Sequence, residues 1–254
     1  MRFTHPVNTL KKLGCGLAFG AAAIMAMPTS ALACTQIYMG SQLTADGNTY
    51  YGRTEDFGPR YVKHFGIEPA HKDGSKYTSV ESGFEYKSKG ATYRYTFVRD
   101  NPSQWEDRYD AYSEAGINEK GVSIAVLTLD SEPTKQDTGK PVLATTMAIR
   151  LVLDRAATTA EAVELLQQYD MFATSGRDYH FYITDAAGDG RVIEYDCDDP
   201  VRPMVVTPSQ QVTNFFVKYK ENVLPNQKNG IYGHGRERYD AIEEVLDSNA
   251  GAIT

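Results

Sequence analysis

The chain has 254 residues, of which 41% are hydrophobic and 23% are charged, and this balance excludes a disordered or fibrous protein. Its formal net charge of −7 argues against nucleic acid or an anionic membrane surface as a partner. A chain of this length can bury one sizeable hydrophobic core, so we expect a single folded domain.

The first 33 residues have the features of a signal peptide. Arg2, Lys11 and Lys12 form a positive region, residues 13–27 form an apolar run, and Ala31-Leu32-Ala33 fits the A-x-A cleavage rule. The apolar run is shorter than the roughly 20 residues that a spanning helix needs, which predicts export and no stable membrane insertion. A lipoprotein would carry Leu where this chain has Ala31. We expect a secreted, periplasmic or cell-surface protein.

Cleavage after Ala33 would leave residues 34–254 as the mature domain. It removes three of the 26 basic residues and none of the 33 acidic ones, so 23 basic residues remain and the net charge becomes −10. Cys15 leaves with the signal peptide, and Cys34 and Cys197 stay. Two cysteines in an oxidising compartment often form a disulfide, so one hypothesis is a non-catalytic secreted binding protein with a Cys34–Cys197 bridge.

The predicted cleavage would also make Cys34 the first residue of the mature protein. A free α-amino group titrates near pH 8, close to the roughly 8.5 of a thiol, so the two groups can exchange a proton at neutral pH. The thiolate can then attack a carbonyl carbon, while the amine takes the thiol proton and later returns it to the leaving nitrogen. The sequence therefore indicates a cysteine nucleophile that carries its own base.

The next element is a predicted β-hairpin. Asp46-Gly47 separates two runs rich in Tyr, Ile and Thr, and a reversal there returns Arg53 and Asp56 to the Cys34 end. Arg53 would favour the thiolate, and Asp56 would accept a hydrogen bond from the α-ammonium. Residues three apart on a strand face opposite sides, so this arrangement requires a bulge near Thr54-Glu55. A surface ion pair between Arg53 and Asp56 is the alternative.

The motifs Cys34-Thr35, Asp46-Gly47-Asn48 and Gly52-Arg53-Thr54-Glu55-Asp56 resemble the start of the N-terminal-nucleophile amidohydrolases. These include the C69 dipeptidases and the choloylglycine hydrolases, and the Cys-to-Arg spacing of 19 resembles the dipeptidases more. The resemblance implies an α+β fold with four αββα layers around two antiparallel sheets. It also implies that the cysteine is the nucleophile and that the arginine and aspartate are its partners. Since these families have longer chains, we expect the domain to be incomplete at its C-terminus.

The middle of the chain predicts further strands. Residues 91–98 alternate as in a strand, and residues 99–113 predict a surface loop in which Trp105 is an anchoring aromatic rather than a cleft residue. The phrase Gly-x-Asn-Glu-Lys-Gly-Val at 116–122 predicts a turn into a fully buried strand. The resemblance places Thr128, ten residues after the asparagine of that phrase, in the oxyanion pocket.

The pattern then changes to helices and back to strands. TTMAIRLVLDRA predicts a buried helix, and the capping box at 158–161 predicts a second one. HFYIT and RVIEY, on either side of a turn at 185–190, predict a hairpin. His180 lies in this hairpin, and we interpret it as a packing residue rather than a general base.

Two more candidate site residues lie near the C-terminus. Residues 204–206 and 211–216 predict strands, and the amide of Asn214 can stabilise a developing oxyanion, although a turn asparagine is equally compatible. The helix RERYDAIEEVL follows. The resemblance implies an arginine near its start, for which Arg238 is the best match and Arg236 the substitute; a solvated helix face is the alternative for both.

We therefore expect a secreted cysteine hydrolase of linear amide or peptide bonds, with a dipeptidase as the favoured subtype. An acylase for conjugated bile salts or penicillin V is the second hypothesis. Five scattered histidines and two mature cysteines lack ligand spacing, so neither a metal nor another cofactor is expected. The expected partner is a small amide or dipeptide substrate, and a homo-oligomer is compatible with the sequence.

Overall fold

A computed structural model describes residues 33–56, 63–78, 85–100, 114–174, 176–219, 234–249 and 253. The predicted signal peptide up to residue 32, with Cys15, and the predicted loop residue Trp105 lie outside these ranges. The strands described are β1 Ala33–Met39, β2 Tyr50–Asp56, β3 Lys63–Glu68, β4 Lys76–Thr78, β5 Glu85–Lys87, β6 Tyr95–Asp100, β7 Ala115–Asn118, β8 Ser123–Leu129, β9 Val142–Ala144, β10 Asp170–Phe172, β11 Asp178–Thr184, β12 Gly190–Tyr195, β13 Met204–Pro208 and β14 Gln211–Val212. The α-helices described are α1 Thr145–Arg155, α2 Thr159–Leu166 and α3 Gly235–Ser248. None of these helices has the length and apolar character to cross a membrane.

Two antiparallel sheets form the centre of the molecule. The large sheet has the order β13-β12-β11-β8-β7-β6-β3, and the small sheet has the order β14-β1-β2. Helix α1 packs on β7 and β8 and helix α2 on β11 and β12, whereas α3 packs on β14 and β1 of the small sheet. The layers therefore run helix, sheet, sheet, helix, and the predicted αββα fold is confirmed.

Strands β8 and β11, in the middle of the large sheet, are buried on both faces because a different layer covers each face. On β11, Phe181 and Ile183 pack against the cluster that contains α1, whereas Tyr182 packs against the cluster that contains Cys34 of the small sheet. Successive side chains of a strand point to opposite faces, so an almost continuous apolar sequence is needed when both faces are covered. This explains why β8 is apolar along most of its length.

The first hairpin brings β2 back to Cys34 as predicted, but the connection between its strands differs from the predicted one. Residues 40–49 connect the strands, so Asp46-Gly47 lies within a longer loop rather than forming a two-residue turn. The seven residue pairs of β1 and β2 run without interruption, with Glu55 opposite Cys34 and Asp56 opposite Ala33. The predicted bulge near Thr54-Glu55 is therefore wrong.

The strand predicted at 211–216 is shorter in the structure. Only Gln211 and Val212 pair with β1, and the chain leaves the small sheet at Thr213. Asn214 therefore lies just past a strand end, where its side chain can turn toward neighbouring strands. The predicted N-terminus of α2 is confirmed, because Thr158 Oγ1 accepts a hydrogen bond from the Glu161 N–H at 3.1 Å; the carboxylate of Glu161 accepts from the Ala157 N–H at 2.7 Å, one residue before the N–H of a standard capping box.

The turn between β7 and β8 depends on the buried side chain of Asn118. Its Oδ1 accepts hydrogen bonds from the main-chain N–H groups of Lys120 and Val122 at 3.0 and 3.1 Å. Its Nδ2 donates to the carbonyl oxygens of Leu153 and Ala156 at 3.0 and 2.7 Å. One side chain thus joins this turn to the end of α1, which confirms the predicted structural role of this turn.

We predict that Asn118→Ala lowers the free energy of unfolding by about 2–4 kcal/mol, because it leaves buried main-chain donors and acceptors without partners. Urea denaturation followed by circular dichroism measures this. The same substitution at Asn249, which is exposed at the end of α3 and donates one hydrogen bond to Val245, should cost under about 1 kcal/mol. Equal effects of the two substitutions would contradict this reading of Asn118.

Candidate active site

Cys34 lies near the start of β1, in the layer between the two sheets. It is 3% exposed and packs in a cluster with Leu127 and Tyr182 of the large sheet. Cys197 follows β12 and is half-buried, and neither cysteine forms a disulfide. The Cys34–Cys197 disulfide of the binding-protein hypothesis is therefore wrong, and the thiol of Cys34 remains available for chemistry.

The main-chain nitrogen of Cys34 is held by Asn214. The Cys34 N–H donates to Asn214 Oδ1 at 2.6 Å, although 180 residues separate the two. Asn214 is fully buried, and its Nδ2 donates to the carbonyl oxygen of Thr128 at 2.9 Å. The second bond orients the amide, so its oxygen faces the nitrogen that would become the α-amine.

Of the two arginines considered at the start of α3, the structure brings Arg238 to this site. Its Nη1 donates to the carbonyl oxygen of Cys34 at 2.7 Å and to Thr35 Oγ1, and its Nη2 donates to Asn214 Oδ1 at 3.1 Å. Arg236 instead lies over the ring of Phe215, 5.6 Å from its centroid. Arg238 thus joins the small sheet to the outer helix at the candidate nucleophile.

Arg53 faces the same side of the small sheet as the thiol. Glu55 lies opposite Cys34 in the ladder, and Arg53, two residues before Glu55, shares its face. The guanidinium of Arg53 forms an ion pair with Glu55 and donates to the carbonyl oxygen of Val126 at 3.4 Å. Its charge acts directly on Cys34 and lowers the pKa of that thiol.

A network of buried charges continues from Arg53. Glu55 accepts a hydrogen bond from Lys63 Nζ at 2.7 Å, and the same Nζ lies 2.6 Å from Glu114 Oε2. Burial alone would raise the pKa of Glu55, but the charges of Arg53 and Lys63 lower it below its usual value. Glu55 is therefore ionised at neutral pH, and its charge partly cancels the effect of Arg53 on the thiol.

The thiol of the uncleaved chain is a weak acid. Burial raises the pKa of Cys34 to about 11, and the negative charge of Glu55 acts in the same direction. Arg53 and hydrogen bonds from the Asp56 main chain and the Asn214 side chain lower the pKa but do not offset burial. With the nitrogen in its peptide bond to Ala33, Cys34 is protonated at neutral pH.

Asp56 and Thr128 reach the site mainly through their main chains. Asp56 is exposed and lies on the opposite strand face from the thiol, where its charge acts on Arg238. Thr128 accepts the Asn214 bond with its carbonyl oxygen, and its side chain faces the helix layer because the preceding Leu127 packs between the sheets. The direct roles assigned to the Asp56 carboxylate and to Thr128 in the oxyanion pocket stay predictions.

A cleft of about 350 Å³ opens beside the outer edge of β2. Arg53, Glu55 and Lys63 line one part of it, and apolar side chains of β3, β6 and β7 line another, including Phe65 and Ile117, which are 69% and 44% exposed. Larger hollows of about 450 and 640 Å³ elsewhere contain none of the predicted site residues. Among the described residues, no group of three His, Cys, Asp or Glu could hold a metal ion.

Glu55, Lys63 and Glu114 also belong to the site but were not predicted from the sequence. The signal for Glu55 was present, since strict alternation along β2 places it with Arg53 and opposite Cys34 once the register is known. Lys63 and Glu114 come from β3 and from the residue before β7, and they meet Glu55 only through sheet packing. No local pattern indicates that meeting.

The four layers, with a buried cysteine near the start of the middle strand of the small sheet, define the class of αββα sandwich proteins. Among solved structures, a variant of the conjugated bile acid hydrolase from Clostridium perfringens has this fold, with a TM-score of 0.62 and 17% identity over 87% of this chain and 75% of that one. Residues 33–179, more than half of the chain, match the profile of peptidase family C69. The chain belongs to peptidase family C69.

Two curated relatives match shorter stretches. A probable dipeptidase B of Streptococcus pyogenes serotype M1 is 40% identical over 96 residues, which are 37% of this chain and 18% of that protein. A penicillin V acylase of Pectobacterium atrosepticum is 36% identical over 91 residues, which are 32% of this chain and 24% of that protein. The matches thus span about a fifth to a quarter of these relatives' own length. The C69 match includes Cys34, Arg53 and Asp56 and ends before Asn214 and Arg238.

Removing residues 1–33 should increase the reactivity of Cys34. The freed α-ammonium adds a positive charge beside the thiol, which favours the thiolate and lowers the pKa from about 11. We predict that iodoacetamide at pH 7.5 alkylates the protein that begins at Cys34 at least about 10-fold faster than the uncleaved chain, since one pKa unit is a tenfold change in thiolate. Both proteins carry Cys197→Ser, and the uncleaved one also carries Cys15→Ser, so that mass spectrometry follows the thiol of Cys34 alone. Equal rates would contradict this electrostatic account.

Proposed function

We propose that the protein is a secreted cysteine hydrolase of linear amide bonds, and most specifically a dipeptidase, whose nucleophile is Cys34 after removal of residues 1–33. The observation that carries the proposal is the hydrogen bond from the Cys34 nitrogen to Asn214 Oδ1. The charge of Arg53 lowers the pKa of the thiol of the same cysteine. Membership of family C69 and the signal-peptide pattern support it.

The proposed reaction uses the two groups of one residue. The α-amine takes the thiol proton, and the thiolate attacks the carbonyl carbon of the amide. The resulting ammonium, held by Asn214 Oδ1, then protonates the leaving nitrogen as the C–N bond breaks and a thioester remains on Cys34. The amine next takes a proton from water, and the resulting hydroxide adds to the thioester carbonyl carbon. The C–S bond then breaks, the thiolate leaves, and the ammonium returns the proton to the sulfur. Arg53 stabilises the thiolate on both occasions.

The charges of the cleft favour a dipeptide over an apolar acyl group. A dipeptide at neutral pH carries one ammonium and one carboxylate, and the cleft presents Glu55 together with Arg53 and Lys63. Side chains of such a substrate can lie on the exposed Phe65 and Ile117. The names of the dipeptidase relatives support the same subtype.

We predict that Cys34→Ser lowers dipeptide turnover by at least about 1,000-fold while the protein stays folded, because a serine hydroxyl is nearly the size of a thiol but far less acidic. Turnover is measured by release of free amino acids, and folding by circular dichroism. Cys197→Ser is the matched control and should retain the parent rate. A Cys34→Ser protein with the parent rate would overturn the assignment of the nucleophile.

The acylase of the second hypothesis would share this chemistry and differ in substrate. The matched Pectobacterium acylase is the observation in its favour. Parallel assays with a dipeptide panel, glycocholate and penicillin V separate the two. Release of cholate or of the penicillin V acyl group without dipeptide turnover would reject the dipeptidase and retain the cysteine hydrolase.

A further inference from the structure

A carboxylate and an imidazole are buried together between the two sheets. Glu194 of β12 and His180 of β11 are fully buried, and His180 Nδ1 lies 3.1 Å from Glu194 Oε1. With hydrogen on Nδ1, the ring donates to the carboxylate. An unpaired buried carboxylate is strongly unfavourable, so its remaining partners show what Glu194 does in the fold.

Those partners belong to the segment that follows Asn214. Glu194 Oε1 accepts a hydrogen bond from the Val217 N–H at 2.7 Å, and Oε2 accepts one from the Lys218 N–H at 2.9 Å. Both donors begin the 3₁₀ turn Val217–Tyr219. The carboxylate thus holds the main chain of this turn with both of its oxygens.

Only two residues separate Asn214 from Val217, so the two lie within about 10 Å of each other even in an extended chain. The chain is also held before Asn214, where Thr213 Oγ1 donates to the carbonyl oxygen of Gly235 at 2.6 Å. Asn214 therefore lies between two anchored points, and Glu194 provides the second one. A displacement of the turn would move the amide oxygen that accepts the Cys34 nitrogen at 2.6 Å.

We propose that Glu194 is a positioning residue for hydrolysis, which acts through the main chain of Val217 and Lys218 on Asn214 and thereby on the nitrogen of Cys34. The inference rests on the proposed function for its catalytic consequence. Misplacement of a reacting group by about 1 Å can cost about 100-fold in rate, so an anchor outside the site can control turnover. His180 Nδ1–H is the third donor to the same carboxylate.

Glu194→Gln tests this directly, since the glutamine has the same shape but replaces one acceptor oxygen by a donor. We expect kcat for a dipeptide to fall about 10- to 100-fold with KM within about twofold of the parent, because the loss concerns the chemical step. The matched control is Asp196→Asn, which removes contacts of Asp196 with the side chains of Lys218 and Tyr219 but no main-chain bond of the turn. It should stay within about twofold of the parent in both constants.

A second readout needs no substrate. In processed protein with Cys197→Ser, Glu194→Gln should shift the pH profile of Cys34 alkylation to higher pH, because a displaced Asn214 no longer holds the ammonium. Glu194→Asp keeps a carboxylate at this position and replaces Glu194→Gln in the test if the glutamine variant does not fold. It should show a smaller shift of the profile in the same direction. An unchanged profile in the folded variants would overturn the role of Glu194. If the parent hydrolysed no amide, the proposed function would fail, and the alkylation profile would still decide whether Glu194 positions Asn214.

Discussion

The site depends on one hydrogen bond, from the main-chain nitrogen of Cys34 to Oδ1 of Asn214. It joins the first strand of the small sheet to a segment 180 residues later, and Arg238 from the outer helix binds the same oxygen. Because a buried hydrogen-bond donor without a partner is costly, this arrangement forms only when both sheets and the outer helix have packed. The chemistry of the nitrogen is therefore tied to completion of the fold.

Burial has opposite consequences for the two functional groups of Cys34. It raises the pKa of the thiol to about 11 in the uncleaved chain, so the thiol is protonated while Ala33 is attached. The same burial strengthens every charge placed nearby, since the local dielectric constant is low. A new ammonium on the adjacent nitrogen acts in that environment together with Arg53. In the proposed function, activation by removal of the preceding residues therefore needs only this electrostatic change and no change of fold.

The sequence alone predicted the four layers and the return of Arg53 toward Cys34, because these follow from patterns local to β1 and β2 and from the resemblance those patterns carry; the role of Cys34 as nucleophile stays a prediction. The register of β1 against β2 could not be predicted, because the Asp46-Gly47 turn signal lies inside a ten-residue connection at 40–49 and does not determine which residues pair. The error about the bulge, and the omission of Glu55, both follow from that register. Glu194 was missed for another reason: alternation along β12 shows that it faces inward but not which segment lies above it.

The most direct test of the account is mass spectrometry of protein quenched with acid while it turns over a slowly hydrolysed amide. Digestion with pepsin at acid pH isolates the peptide that carries Cys34, and the acid keeps the α-amine protonated so that the acyl group stays on the sulfur. The proposed mechanism predicts a peptide that begins at Cys34, carries the mass of the substrate's acyl group and has no thiol that can be alkylated until the pH is raised and the acyl group moves to the α-nitrogen. Turnover without an acyl group on that peptide, or from a chain in which Ala33 is still attached, would contradict it.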